Sequence, residues 1–145
     1  PDETFFVNLS NPSANATILD GQAVGTIVND DAATLPLVSV TAIDPTATEA
    51  GVTTGAFTVS RTGSTAAPLA VSWSISGTAV DNVDRLPVPV GPTIPAGASS
   101  VVVTVTPLDD TLVEGPETVI ATLGASAAYT VGSPSATTIT ILDND

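Results

Sequence analysis

The sequence predicts an all-β protein: an antiparallel β-sandwich of about seven strands over residues 32–145, preceded at 1–31 by the last two strands of an upstream copy. Three observations carry this reading. First, apolar and polar residues alternate at period two, most clearly at Leu69, Val71, Trp73 and Ile75 and again at Val101, Val103 and Val105. That period puts one face in a core and the other in water. Second, Val, Ile and Thr are frequent, 11 Gly and 12 Pro supply turns, and no long stretch has helical periodicity. Third, the chain repeats itself at an offset of 114 residues, the step from Glu3 to Glu117. At that offset Glu3-Thr4 falls on Glu117-Thr118, Leu9 on Leu123, Thr26-Ile27 on Thr140-Ile141, and Asn29-Asp30-Asp31 on Asp143-Asn144-Asp145, with no gap.

Taken in order, strands are expected at about 4–10 and 22–28, where Phe5, Val7 and Leu9 alternate with polar or outward positions. A two-stranded hairpin is marginal in water, so this one should need an upstream partner. The connector Ala32-Ala33-Thr34-Leu35-Pro36 is short and has no Gly or Ser run. Next comes a strand at about 37–43 with Val38 and Val40 on one face, then a loop from Asp44 to Gly55 that holds Glu49. A strand at about 56–61 points Phe57 and Val59 inward, and one at about 69–76 carries Trp73 as a core anchor. Gly77 to Pro92 is rich in Gly, Pro and Asp and reads as irregular; Thr93 to Gly97 is a short strand ending in a turn. The last three strands fall at about 99–106, 117–123 and 136–142.

Composition excludes several functions. The net charge is −13, from 15 acidic and 2 basic residues. Nucleic acid and anionic membrane surfaces need Lys and Arg, so neither is an expected partner. No His is present to act as general base, and no Cys to form disulfides or thiolate metal sites. Nothing approaches the roughly 18 uninterrupted apolar residues of a membrane span, so no insertion is expected.

One stretch stands apart, from Pro107 to Thr118. Between two apolar alternations it places Asp109, Asp110, Glu114 and Glu117 within nine positions. Like charges this close repel, and the chain has almost no basic residues to offset them. Ca²⁺ takes six to eight hard oxygens in irregular geometry and answers the problem. Mg²⁺ keeps its waters and demands an octahedron, and Zn²⁺ lacks its usual N and S ligands. The plain alternative is a solvated acidic pole that aids solubility.

Several motifs occur in one order: Phe57-Thr58-Val59-Ser60-Arg61, Gly77-Thr78-Ala79 followed by Asp84, Ile94-Pro95-Ala96-Gly97, Asp109-Asp110 with Glu114-Gly115-Pro116-Glu117-Thr118, and Asp143-Asn144-Asp145. Together they resemble a Calx-beta module, the β-sandwich repeat known from sodium–calcium exchangers and many extracellular proteins. The resemblance covers essentially all of 32–145, and 1–31 resembles the family's last two strands. It implies an Ig-like antiparallel seven-stranded β-sandwich with Ca²⁺ at one pole. It further implies ligands from Glu49, Asp84, Asp109, Asp110, the Leu112 carbonyl, Glu114, Glu117, Asp143 and Asp145. Two positions depart from the pattern. Asn144 stands where the exchanger has a third Asp, and Arg85 stands where the family often has an aromatic, from where its guanidinium could pair with a site carboxylate and compete with metal. One or two ions are then implied rather than the exchanger's full set.

The expected function is structural: a repeat of an extracellular or cell-surface array, a fibre, filament or adhesin stalk, stiffened by Ca²⁺. Its partners would be neighbouring copies, head to tail. The alternative is a calcium-dependent adhesion module that binds protein or carbohydrate, although no aromatic platform favours a glycan. A regulatory Ca²⁺ sensor, as in the exchanger, would need a transport domain. Catalysis is not expected: no nucleophile has a base beside it, and a glycosidase pair needs a carboxyl group of raised pKa in an apolar cleft, for which these loops read as too polar and acidic. Asn8-Leu9-Ser10 and Asn15-Ala16-Thr17 fit the glycosylation sequon, a pattern that often arises by chance. At the junction, Glu3, Asp30 and Asp31 are expected to belong to the site of the upstream module.

Overall fold

Alternation at period two becomes two packed sheets in the computed structural model, which describes residues 1–29 and 34–145. The chain divides into two compact units, Pro1–Ala33 and Thr34–Asp145. The first unit is a hairpin of β1 (Glu3–Asn8) and β2 (Gln22–Ile27) in antiparallel register, Glu3 opposite Ile27 and Asn8 opposite Gln22. Phe5, Phe6, Val7, Val24 and Ile27 are all exposed, so apolar side chains stand in water on both faces.

The second unit holds β3 (Leu37–Asp44), β4 (Thr46–Thr48), β5 (Gly55–Arg61), β6 (Leu69–Ala70), β7 (Trp73–Ser76), β8 (Thr93–Ile94), β9 (Ser100–Val105), β10 (Glu117–Leu123), β11 (Thr130–Val131) and β12 (Ala136–Leu142). One sheet runs β4-β12-β10-β7 and the other β11-β3-β5-β9; β6 pairs with β8 alone. Neighbours are antiparallel except β12 with β4 and β11 with β3. The inward residues of both sheets form one core, including Val38, Val40, Phe57, Val59, Val105, Val119, Ala121, Ile139 and Ile141. Trp73 packs edge-on to Phe57 across it, centroids 6.0 Å apart, and its indole N–H donates to the Pro89 carbonyl. Among the described residues no helix is long and apolar enough to cross a membrane.

Three details differ from the sequence reading. The strand expected at 69–76 is two: Val71 N–H donates to the Pro92 carbonyl, then the Ser72 carbonyl accepts from Gly124 N–H, so the chain passes from β8 to β10. The inward alternation continues through the change of partner, which hides it. The first strand also switches sheets. Pro45 separates β3, paired with β5, from β4, paired with β12, so Glu49 follows a strand rather than lying mid-loop. Finally, β11 is a short parallel contact with no periodic signal of its own.

Candidate metal centre

Strand direction gathers the acidic segments at one end of the sandwich. β4 and β12 run parallel, Leu142 opposite Thr48, so Glu49 and Asp143 leave from the same end, and Glu49 N–H donates to the Leu142 carbonyl at 3.1 Å. β10 is antiparallel to β12, Glu117 opposite Ile141, so it starts there. The 106–116 loop leaves β9 at the same end, and Leu108 N–H to Asp84 carbonyl, 2.9 Å, ties the 77–92 loop to it.

Asp84 is aimed by its own turn. Its Oδ2 accepts from Val80 N–H at 2.5 Å, and its N–H donates to the Val80 carbonyl. The turn is pinned beside β10, because Ala79 N–H donates to the Thr118 carbonyl and Thr118 N–H donates to Thr78 Oγ1. Gly77 has φ +121, and a Cβ there would overlap the Thr118 carbonyl, so this approach requires glycine. One carboxylate oxygen from each of Asp84, Glu114 and Glu117 lies within 4.8 Å of the others. Asp84 is buried, Glu117 half-buried and Glu114 exposed. Glu117 Oε2 is buried with no hydrogen-bond partner among the described residues.

Burial, then the charge of Asp84 and a hydrogen bond to it, then Glu114 and Glu49, raise the Glu117 carboxyl to about 7. Carboxylates this close repel one another, and a proton or a cation in the cluster relieves that repulsion. Burial also raises Glu49, helped by Asp143, Asp110, Glu114 and Asp109. Glu114 is raised by desolvation, then by Asp84, Asp110 and Asp143. Asp143 goes the other way: Glu114 N–H donates to its Oδ2 at 2.6 Å and Asp145 N–H to its Oδ1 at 3.1 Å, which lowers it. Asp110 Oδ1 accepts from Leu112 N–H at 2.7 Å, closing a local turn.

The fold therefore brings Asp84, Glu114 and Glu117 into direct proximity, with Glu49, Asp110 and Asp143 within electrostatic reach of the group and Asp109 within reach of Glu49. Leu112 lies in the same loop. Asp145 is joined to Asp143 through its backbone N–H, and its carboxylate is outside the close cluster. Glu3 lies on β1 in the other unit, and Asp30 and Asp31 fall outside the described residues.

Two expectations need correction. The ion pair found for Arg85 is with Asp81, one turn away, and not with a site carboxylate. The Asp81–Arg85 and Arg85–Pro107 bridges direct the backbone so that Asp81 meets the guanidinium first. A carboxyl group of raised pKa is also present, at Glu117, where a polar loop was expected to prevent it. Its partners are carboxylates, the arrangement of a cation site. The pins Gly77, Thr78 and Thr118 were missed as site residues, although Gly77-Thr78-Ala79 was visible as a motif.

The donor set is all hard oxygen, and an unpartnered buried oxygen faces like charges. Both fit Ca²⁺ and neither fits a soft metal.

The crystal structure of the apo-form Calx CBD1 domain superposes with a TM-score of 0.58 at 21% identity, covering 77% of this chain and 99% of that one. The calcium binding domain CBD12 of CALX1.1 gives a TM-score of 0.55 at 24% identity, covering 69% of this chain, and CBD12 from CALX1.2 gives 0.55 at 22%, covering 74%. The match spans 41% and 44% of those two longer chains. At these identities the likeness establishes the fold. No curated protein matches significantly. The Calx-beta domain profile matches residues 30–145, most of the sequence, and the chain belongs to the Calx-beta domain family.

Proposed function

We propose that Thr34–Asp145 is a Ca²⁺-binding module and that it serves as a stiffening repeat in an extracellular or cell-surface array of head-to-tail copies. The observation that carries the calcium reading is Glu117 Oε2, buried and unpartnered among Asp84 and Glu114. Asp84, Glu114 and Glu117 would hold the ion, with Glu49, Asp110 and Asp143 around them. The ion supplies the positive charge that the sequence withholds. Asp143, kept ionised by two backbone N–H donors, anchors the 106–116 loop to the end of β12. Held together, the ends of β4, β9, β10 and β12 lose freedom, which is what a load-bearing repeat requires. The exposed positions of Asp109, Asp110 and Glu114 suit the weaker sites of extracellular modules, which fill at about 10⁻⁴–10⁻³ M Ca²⁺. The 114-residue repeat supports the array.

Calorimetric titration with CaCl₂ near pH 7 tests the site. Binding heat should appear with Ca²⁺ and depend on buffer ionisation, because Glu117 gives up a proton on binding. MgCl₂ should give little heat. No heat at millimolar Ca²⁺ contradicts the reading.

A further inference from the structure

The β1–β2 hairpin pairs in the register of β10–β12. Glu3↔Ile27 corresponds to Glu117↔Ile141, and Asn8↔Gln22 to Thr122↔Ala136, each at the offset from Glu3 to Glu117. A one-residue slip would turn every side chain to the other face, so the shared register also assigns the faces. In the complete module the inner face of this pair is Val119, Ala121 and Ile139, all 0% exposed, with Ile141 at 1%. Their counterparts are Phe5, Val7, Gly25 and Ile27, of which Phe5, Val7 and Ile27 are 50%, 49% and 57% exposed. The central pair Val119↔Ile139 is replaced by Phe5↔Gly25, and the Phe5 ring lies where a Cβ of residue 25 would stand. One large and one absent side chain fill the space of two medium ones, as core layers do. The edges differ in the same sense. β10 and β12 are flanked by β7 and β4, whereas β1 and β2 pair only with each other among the described residues. Open edges and an exposed apolar face leave the hairpin marginal by itself.

We infer that β1–β2 is the closing hairpin of a second sandwich, whose remaining strands lie in polypeptide covalently ahead of Pro1. That polypeptide is the counterpart of Thr34–Glu114. It presents a β7-like edge to β1, a β4-like edge to β2, and an apolar face to Phe5, Val7, Leu9 and Ile27. The covalent order follows from the repeat: in Thr34–Asp145 the same hairpin closes strands that precede it. The inference deepens the array reading and uses no calcium.

The test fuses a second copy of Thr34–Glu114 ahead of Pro1 of the full chain and follows amide hydrogen exchange in EDTA. Amides of Glu3–Asn8 and Gln22–Ile27 should slow about a hundredfold relative to the unfused chain. Val7→Asp, on the inner face, should restore fast exchange, and Val24→Asp, on the outer face, should not. A hybrid in which Glu3–Asp31 replaces Glu117–Asp145 should unfold cooperatively in urea. If hairpin exchange is unchanged in the fusion and the hybrid does not fold, the inference is overturned. Equal loss of protection from Val7→Asp and Val24→Asp overturns the face assignment and the inference with it. Protection in the unfused chain that disappears on dilution would assign the partner to a second copy and overturn the covalent arrangement. Because the exchange is run in EDTA, failure of the calcium site alone leaves these results unchanged.

Discussion

The two poles of the Thr34–Asp145 sandwich are closed by opposite means. At one, Arg61 is buried at the end of β5, and its guanidinium donates to the carbonyls of Ala98, Ala67, Thr65 and Pro95 at 2.8–3.2 Å. Tyr129 adds a hydroxyl that donates to the Gly124 carbonyl at 2.7 Å and accepts from Ser72 N–H at 3.1 Å. These loops are tied by the protein's own donors. At the other pole, carboxylates crowd together and Glu117 Oε2 finds no donor among the described residues. The chain's two basic side chains are both committed elsewhere, Arg61 to carbonyls and Arg85 to Asp81. One end is self-sufficient, and the other is built to be completed by a cation.

The comparison can be broken at either end. The largest effect should come from Arg61→Ala, which strips the donor from four carbonyls and should cost about 3 kcal/mol. Arg61→Lys should recover only part, because an ammonium cannot span the fork. Urea denaturation should show the same loss with Ca²⁺ or EDTA, since this pole does not use the ion.

Calcium should act only on the acidic pole. Binding to the folded state stabilises by about 2.7 kcal/mol at a hundredfold excess over Kd. Glu117→Gln should remove most of that gain. In EDTA the same variant should be at least as stable as the parent, because it removes one of the repelling charges.

Gly77→Ala joins a strained φ to a clash with the Thr118 carbonyl, and should cost about 2 kcal/mol. Displacing Thr118 also moves Glu117, so calorimetry should show weaker Ca²⁺ binding as well as lower stability.

The last contrast is that of pH. The Glu117 carboxyl is raised from 4.5 to about 7 in the folded state, so between those values the folded protein holds a proton that the unfolded chain has lost. Stability in EDTA should therefore fall as pH rises from about 4.5 to 7. Glu49 and Glu114 are raised and act in the same sense, while Asp143 is lowered and titrates below the window. Ca²⁺ affinity should weaken on acidification below about 7, where protons compete for Glu117.

The strands were legible because burial imposes period two on Leu69–Ile75 and Val101–Val105, and partner identity was not. A strand that changes sheets, as at Pro45 or Ser72, keeps its inward alternation. The density of acids from Asp109 to Glu117 pointed to half of the candidate site. The rest depends on tertiary placement: Asp84 is buried by its turn against Thr118, and Glu49 arrives through the parallel β4–β12 pair. Arg85 was misread because the partner of a lone cation is set by backbone geometry, here a bridge to Asp81.

The central claim is that the acidic pole alone waits for a cation. The most direct test is urea denaturation of the full chain, its Arg61→Lys variant and its Glu117→Gln variant, each in EDTA and in millimolar Ca²⁺. The account predicts that Ca²⁺ raises the midpoint of the parent and of Arg61→Lys by the same amount and leaves Glu117→Gln nearly unmoved. Identical midpoints for the parent chain in EDTA and in Ca²⁺ would contradict it.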